Sequence, residues 1–343
     1  MIALGIESTA HTFGVGLAGS DGKVLSSALS AYSSPEGGLK PGEAAEHHAR
    51  EAPRVIAKAL EQARISLKDV ELVGFAQGPG LGQPLQVGAV TARTIALSLK
   101  VPLVGVNHPI AHIEIGRLVV GAEDPLIVYV SGGNTQIMVH EQNRFRIIGE
   151  TLDIGLGNAQ EKVGRLLGLP FPAGPHLDRV EGNWVDLPYI VKGMDLSFSG
   201  LVTEVERKLR QGADPSDLAW SFVEVSFSML VEVSERALAA SGRDQLLLVG
   251  GVAASPRLQE KMRVMCEGRG VQFLVPPREY LRDNGAMIAW TALLAYAQFG
   301  PLRINESVIK PKWRPDEVEW RLLSPEELDL ILSSRSGHPV PGP

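Results

Sequence analysis

An α/β fold of two similar lobes is predicted by three segments that share one grammar, an apolar strand running into a small, polar, glycine-containing turn. The first, Ile2 to Leu17, reads as a strand, a Glu7-Ser8-Thr9 turn and a returning strand. The second, Leu126 to Val139, repeats that pattern with Ser131-Gly132-Gly133-Asn134-Thr135 at its tip. The third, Gln245 to Met262, is a buried strand whose Gly250-Gly251 turn leads into a helix. Turns of this make let backbone N–H groups approach phosphate oxygens with no Cβ in the way, and their hydroxyls add donors.

A duplicated hairpin and phosphate turn, followed by a strand, two glycines and a helix, is the layout of the actin, hexokinase and Hsp70-like ATPase fold. There, two similar lobes clamp a nucleotide in the cleft between them. Two other phosphate motifs are excluded. Walker A is absent, and the literal G-x-G-x-x-G at Gly14, Gly16 and Gly19 lies in a returning strand that runs into a Ser20-Asp21-Gly22-Lys23 turn. It opens no helix, so it binds no dinucleotide. Helical spacing of apolar residues predicts helices over Pro41 to Gln62 and over Gln83 to Leu99, the latter after the Gly78-Pro79-Gly80-Leu81-Gly82 loop. Further helices are expected over Asp217 to Ala240 and, buried and entered from Asp283, over Asn284 to Phe299. The expected lobes are residues 1–106, completed by a C-terminal helical stretch 286–320, and residues 107–285. Residues 321–343 are polar, end in Pro339-Val340-Pro341-Gly342-Pro343, and are expected to be a disordered tail.

Composition narrows the function classes. With 343 residues, 44% hydrophobic and 21% charged, the chain suits a soluble protein able to bury a large core. No apolar run approaches the roughly 18 residues needed to span a bilayer, and the start Met1-Ile2-Ala3-Leu4-Gly5-Ile6-Glu7 lacks the basic flank of a signal peptide. A cytoplasmic protein without a membrane partner is expected. The single cysteine, Cys266, excludes an internal disulfide and a cysteine-based metal site, and its thiol is expected to be packing. A net charge of −6 does not suit a protein that grips nucleic acid alone. Either there is no such partner, or other subunits help.

His108 and His112 flank Pro109 in the run Val106 to Glu114. If Pro109 opens a helix, His108 caps it and His112 lies one turn on, over the same face, where two imidazoles can grip one metal. An N-cap beside a satisfied half-buried histidine accounts for the pair equally well. The zinc-protease motif His-Glu-x-x-His is not met, because Pro109 stands where its general base would be. His47 and His48 lie on a predicted helix, and at least one of them is expected on a solvated face.

Seven runs together resemble one family. They are Gly5-Ile6-Glu7-Ser8-Thr9, Gln77 to Gly82, Asn107-His108 through Ala111-His112, Tyr129 to Thr135, Lys192 to Gly200, Gly250 to Ala254 and Asp283 to Ala289. In that order they are similar to the universal tRNA threonylcarbamoyltransferase family, once called O-sialoglycoprotease-like, over residues 1 to about 320. The Tyr129 to Gly133 and Lys192 to Gly200 runs resemble its archaeal and eukaryotic branch, the catalytic subunit of the KEOPS complex.

The resemblance implies an enzyme that transfers a threonylcarbamoyl group from threonylcarbamoyl-adenylate to the exocyclic amine of the adenosine beside the anticodon, in tRNAs reading codons that begin with A. It implies one transition metal, iron or zinc, held by the residues matching His108, His112, Tyr129 and Asp283. Of these, His108, His112 and Asp283 are the expected catalytic residues. It implies nucleotide contacts at Tyr129, Val130, Ser131, Gly132, Gly133, Glu161, Gly174, Asp178 and Ser255, with magnesium accompanying the nucleotide. Three positions depart from the family: Glu161 stands for an Asp, Asp178 for a Glu and Ser255 for an Asn. The implied partners are tRNA, a kinase-like ATPase subunit and small accessory subunits, and with no kinase-like sequence after residue 320 that ATPase is expected as a separate chain. Two competing readings are a small-molecule carbamoyltransferase of the same superfamily and an inactive nucleotide-binding scaffold. A peptidase is the weakest reading, because neither a zinc-protease base nor a nucleophile elbow is present.

Overall fold

The structure, a computed structural model, describes residues 1–33 and 38–335. Along the chain the first elements are β1 (Ile2–Glu7), β2 (Thr12–Gly19), β3 (Val24–Ala31), α1 (Pro41–Ala63), β4 (Leu72–Gly78), α2 (Gly82–Leu99), β5 (Leu103–Asn107) and α3 (His108–Val120). Then follow β6 (Leu126–Val130), β7 (Thr135–Glu141), β8 (Arg144–Glu150), α4 (Leu156–Leu166), α5 (Gly174–Leu177), β9 (Val191–Lys192), β10 (Asp195–Leu196), α6 (Ser199–Arg210) and α7 (Pro215–Ser241). The chain closes with β11 (Gln245–Val249), α8 (Pro256–Arg269), β12 (Gln272–Leu274), α9 (Arg278–Leu281), α10 (Gly285–Phe299) and α11 (Pro325–Arg335). Two compact units result: Met1–Val119 with the chain from Asp283 onward, and Val120–Arg282.

The first unit is built on a five-stranded sheet in the order β3-β2-β1-β4-β5. β1 pairs antiparallel with β2, from Ile2 opposite Gly19 to Glu7 opposite Gly14, while β4 runs parallel to β1 and β5 parallel to β4. Its core gathers Leu4, Ile6, Phe13, Val15, Leu17 and Phe75. α1 starts with Pro41, where the missing N–H is harmless, and buries Ala44, His48, Ala52, Val55 and Ala59 at helical spacing.

Two glycines of the literal G-x-G-x-x-G, Gly14 and Gly16, turn out to be part of a helix seat. A Cβ on Gly16 would lie 2.2 Å from the Ala286 nitrogen, one on Gly5 would lie 2.1 Å from the Ala289 nitrogen, and one on Gly285 would lie 2.1 Å from the Gly16 nitrogen. α10 therefore rests directly on the backbone of β1 and β2. Glycine inside a strand costs roughly 0.5–1 kcal/mol against alanine, and here the close approach of a helix buried from Gly285 to Ala297 offsets it. Asn284 caps that helix through Met287 N–H (2.9 Å), so Asp283 is fixed one residue before it.

The second unit repeats the topology. Its sheet runs β12-β11-β6-β7-β8, with β6, β7 and β8 antiparallel and β11 parallel to both β6 and β12. Gly250 turns away from β11 with φ +98°, and a Cβ there would lie 2.3 Å from the Val130 oxygen. Only glycine allows that approach. Cys266 is buried, as expected of packing.

Several sequence expectations change. α8 does not follow the Gly250-Gly251 turn directly: a 3-10 turn over Gly251–Ala254 intervenes, and Ser255 caps the helix through Leu258 N–H (3.1 Å). The expected polar tail from residue 321 contains α11, which buries Leu328 and Leu332 and whose Asp329 accepts a hydrogen bond from Ser20 (3.1 Å). The remainder of that tail, 336–343, lies outside the described residues. His48 is fully buried and His47 partly so. Among the described residues no helix is long and apolar enough to cross a membrane.

Candidate metal centre and phosphate turn

β5 delivers the chain straight into α3. The cap of this helix is Asn107, whose Oδ1 accepts the Ile110 N–H (3.3 Å), and His108 is already its first residue. His108 is thus freed from the capping role that sequence alone gave it. The imidazoles of His108 and His112 lie 4.7 Å apart, nearly perpendicular at 86°. Asp283 Oδ1 lies 3.4 Å from His108 Nε2 and 3.2 Å from His112 Nε2. Donor atoms of these three residues fall within 4.8 Å of one another, the one such cluster among the described residues.

Behind His108 stands Glu7, with no exposed surface. Its Oε2 lies 2.8 Å from His108 Nδ1, and its Oε1 accepts from Thr9 N–H (2.7 Å) and Thr9 Oγ1 (2.5 Å). A carboxylate on Nδ1 places the proton there and turns the Nε2 lone pair toward Asp283. Farther along α3, buried Glu114 accepts from Arg117 (2.7 Å) and from Trp320 Nε1 (2.8 Å), which fixes the helix to the chain beyond α10. Burial pushes the His112 imidazole below its ordinary pKa, against the raising influence of Asp283. Burial alone would raise the Asp283 carboxyl, yet the His108 and His112 imidazoles that face it hold it well below the usual range. A neutral imidazole and an ionised carboxylate are the forms that ligate a metal. Two nitrogens and an oxygen, with a second carboxylate orienting one ring, fit a borderline divalent ion.

All three residues belong to the first unit, whereas the expected lobe boundary at 106/107 separates His108 and Asp283 from β1 to β5. The unit in fact continues through α3 to Val119 and resumes at Asp283. Tyr129 belongs to the second unit, where it is fully buried in β6, opposite Val249 of β11.

The second unit carries its own constellation. Val130 ends β6, and Ser131 closes the turn after it by accepting Asn134 N–H on Oγ (3.1 Å). α4 starts against this turn: Gly157 N–H donates to Ser131 O (3.1 Å) and Asn158 N–H to Gly132 O (2.9 Å). A Cβ on Gly157 would lie 2.8 Å from the Gly132 Cα, so α4 can approach only through glycine. By contrast a Cβ on Gly132 would meet nothing nearer than Asn158 Oδ1 at 3.5 Å, and one on Gly133 nothing within 4 Å. Open space therefore faces these two glycines.

The three departures are all engaged inside the protein. Glu161 Oε1 accepts Ala173 N–H (2.9 Å), just before Gly174 at the start of α5. Ser255 donates a short hydrogen bond to Asp178 Oδ1 while capping α8. Burial raises the Asp178 carboxyl, and the Ser255 hydroxyl and Arg257 work against that rise.

Sequence reasoning gave Glu7 no role. Its signal was present, since a carboxylate closing an otherwise apolar strand needs a buried partner.

The sequence model of a family described as tRNA N6-adenosine threonylcarbamoyltransferase matches residues 23–290. A relative of that description in Thermococcus kodakarensis is 50% identical over 323 residues, 93% of this chain and 99% of the relative. One in Thermofilum pendens is 51% identical over 324 residues, 93% of this chain and 96% of the relative. A Methanobrevibacter smithii protein described as a probable bifunctional tRNA threonylcarbamoyladenosine biosynthesis protein is 48% identical over 93% of this chain, which spans 60% of that protein. Among solved structures, full-length HypF in its phosphate- and nucleotide-bound form superposes with TM-score 0.60 at 12% identity, over 88% of this chain and 56% of HypF. Component A of the Acidaminococcus fermentans (R)-2-hydroxyglutaryl-CoA dehydratase gives TM-score 0.52 at 14% identity, over 85% of this chain and 97% of that one. These likenesses identify the fold as that of the actin and Hsp70-like ATPases.

Proposed function

The chain belongs to the tRNA N6-adenosine threonylcarbamoyltransferase family, and from that membership we propose how its two candidate sites serve the reaction. It is a transferase that adds a threonylcarbamoyl group to an adenosine of tRNA. The donor in our reading is threonylcarbamoyl-adenylate, and the acceptor is the exocyclic amine of the adenosine beside the anticodon in tRNAs reading codons that begin with A. The amine nitrogen attacks the carbamoyl carbon, the bond from that carbon to the phosphate oxygen breaks, and AMP leaves with the electron pair. The proton released from the amine passes to solvent. Because AMP is a good leaving group, no covalent enzyme intermediate is needed, and the protein's task is to orient the reactants and to place donors where charge develops.

The observation that carries this reading is the convergence of His108, His112 and Asp283 donor atoms in front of a Glu7-held imidazole. These three residues, with Tyr129 as a fourth ligand, would hold one transition metal, iron or zinc, which when bound would supply a Lewis acid for donor oxygens. Glu7 keeps the Nδ1 proton of His108 and so keeps Nε2 available. In the second unit the turn at Gly132 and Gly133, where a Cβ would meet no close neighbour, takes the phosphate of the nucleotide through its backbone N–H groups, with magnesium accompanying it. HypF, which shares this fold, has been solved with phosphate and nucleotide bound. The working assembly in our reading is cytoplasmic and includes a kinase-like ATPase and small accessory subunits of the KEOPS type. The bifunctional description of the Methanobrevibacter relative, which extends well beyond the matched part, supports a second activity working beside this one.

Metal analysis and nucleoside analysis of treated tRNA test the proposal together. The purified protein should carry about one transition metal ion per chain. His108→Ala/His112→Ala should lose both metal and product, and unchanged metal content would sink the assignment. Gly132→Val has room within the protein, so it should fold and keep its metal while losing affinity for the adenylate. Wild-type adenylate binding by that variant would remove the phosphate role.

A further inference from the structure

We infer that residues 310–314 form a platform for single-stranded tRNA, in which Lys310 and Lys312 take backbone phosphates and Trp313 offers a stacking surface for a base. The inference rests on the family's action on tRNA and names a part of this chain that would hold it.

Most long basic side chains on the helices are already neutralised. Arg207 meets Glu204, Arg210 meets Glu206, Arg236 meets Glu232, and Arg263 lies between Glu260 and Glu267. Such paired cations have little left for a polyanion. Lys310 and Lys312 are exposed and have no carboxylate partner among the described residues. The ammonium of Lys310 sits 4.3 Å from the centre of the part-exposed Trp313 ring. With Pro311 and Glu317 these residues line a shallow recess of about 440 Å³. The acidic side chains nearby are engaged: Glu317 accepts the Arg314 backbone N–H (3.2 Å) and Asp316 pairs with the Arg314 side chain (3.1 Å).

The segment is also held in place. Lys310 N–H donates to Gln77 O (2.7 Å), Gly80 N–H to Pro311 O (3.1 Å), and Gln77 Nε2 to Val308 O (2.8 Å). Asn107 Nδ2 donates to Trp313 O (3.3 Å) while the same side chain caps α3 through Ile110. One residue thus ties the platform to the start of the helix whose first residue is His108. Preorganised cations next to an aromatic ring suit a flexible, unpaired stretch of nucleic acid, because stacking tolerates any base and the phosphates need only charge.

The test measures affinity of the full chain for a tRNA reading an A-initial codon, by fluorescence anisotropy over a series of salt concentrations, beside nucleoside analysis of the wild-type reaction. Lys310→Gln/Lys312→Gln should weaken binding and lower the slope of log affinity against log salt by roughly 1.4–1.8, two contacts at about 0.7–0.9 each. Trp313→Ala should weaken binding roughly tenfold or more with the slope kept, and Trp313→Phe should restore most of it. Arg207→Gln/Lys208→Gln, in a paired group, should leave the slope unchanged. A lysine double variant with wild-type slope and affinity, while the wild type still forms product, overturns the platform alone. Loss of association with a protein partner at an unchanged tRNA slope overturns it too, as a protein-docking surface. A wild type that forms no modified adenosine even with a kinase-like ATPase and small accessory subunits added removes the functional reading and the platform with it.

Discussion

A carboxylate with no exposed surface carries a desolvation cost on the order of several kcal/mol, so Glu7 has to be matched by donors, and Thr9 and His108 supply them. The sequence displayed Glu7, but not its partner, which is 101 positions away. His108 and His112 were legible as a pair because helical spacing is local; Asp283 was brought in by family resemblance, since its approach depends on α10 resting on β1 and β2. Ser255 illustrates the opposite limit. Expected from family resemblance as a nucleotide contact, it also caps α8 and donates to Asp178, two roles that no local spacing announces. Glu7→Gln tests the tautomer argument. An amide nitrogen facing Nδ1 would donate to it, move the imidazole proton to Nε2 and remove the lone pair that a metal needs. Metal affinity, measured by chelator competition, should fall roughly 10–100-fold at nearly unchanged melting temperature. Wild-type affinity in this variant would show that Glu7 serves folding alone.

Elements are positioned here by devices that periodicity cannot express. The helices over residues 41–63, 82–99, 215–241 and 285–299 follow apolar spacing and were visible in advance. α6 was not, because its start is held by a residue 46 positions earlier in the chain. Asp153 accepts from the N–H groups of Ile154, Phe198 and Ser199 and from the Ser197 hydroxyl (2.6 Å). Burial on its own would raise this carboxyl, but the hydroxyl and the three N–H groups outweigh it and hold the group far below the carboxylate range. A carboxyl depressed in the folded state stabilises above its unfolded pKa of about 3.9, and that contribution disappears as pH falls through the folded value. Asp153→Asn should therefore lower the melting temperature at neutral pH, with the gap to wild type narrowing as the pH drops below about 4. A pH-independent gap would assign the effect to packing.

At the scale of the whole molecule, the duplicated hairpins were enough to foresee two similar α/β lobes, and the two sheets share one strand order. The division of the chain was not, because α3 follows β5 without a break and its boundary is set by contacts with the C-terminal stretch. Charge is also a property of the whole, and it argues for company. A net charge of −6 repels a polyanion on average, and the local exceptions are small: Lys162 with Arg165, and the Lys310 to Arg314 platform. A protein making about 6–10 phosphate contacts already loses a factor of roughly 10³–10⁵ in affinity between low and moderate salt, so one making fewer holds tRNA weakly at physiological ionic strength. Productive transfer needs the adenosine to dwell beside the donor, and extra phosphate contacts must come from other chains. The isolated protein supplied with threonylcarbamoyl-adenylate should accordingly modify tRNA poorly, with activity falling steeply as salt is raised. Adding a kinase-like ATPase and small accessory subunits should restore turnover and flatten that salt dependence, read as modified adenosine per chain over time. Full turnover by the lone chain at physiological salt would mean that its own surface suffices and that partner subunits serve some other end.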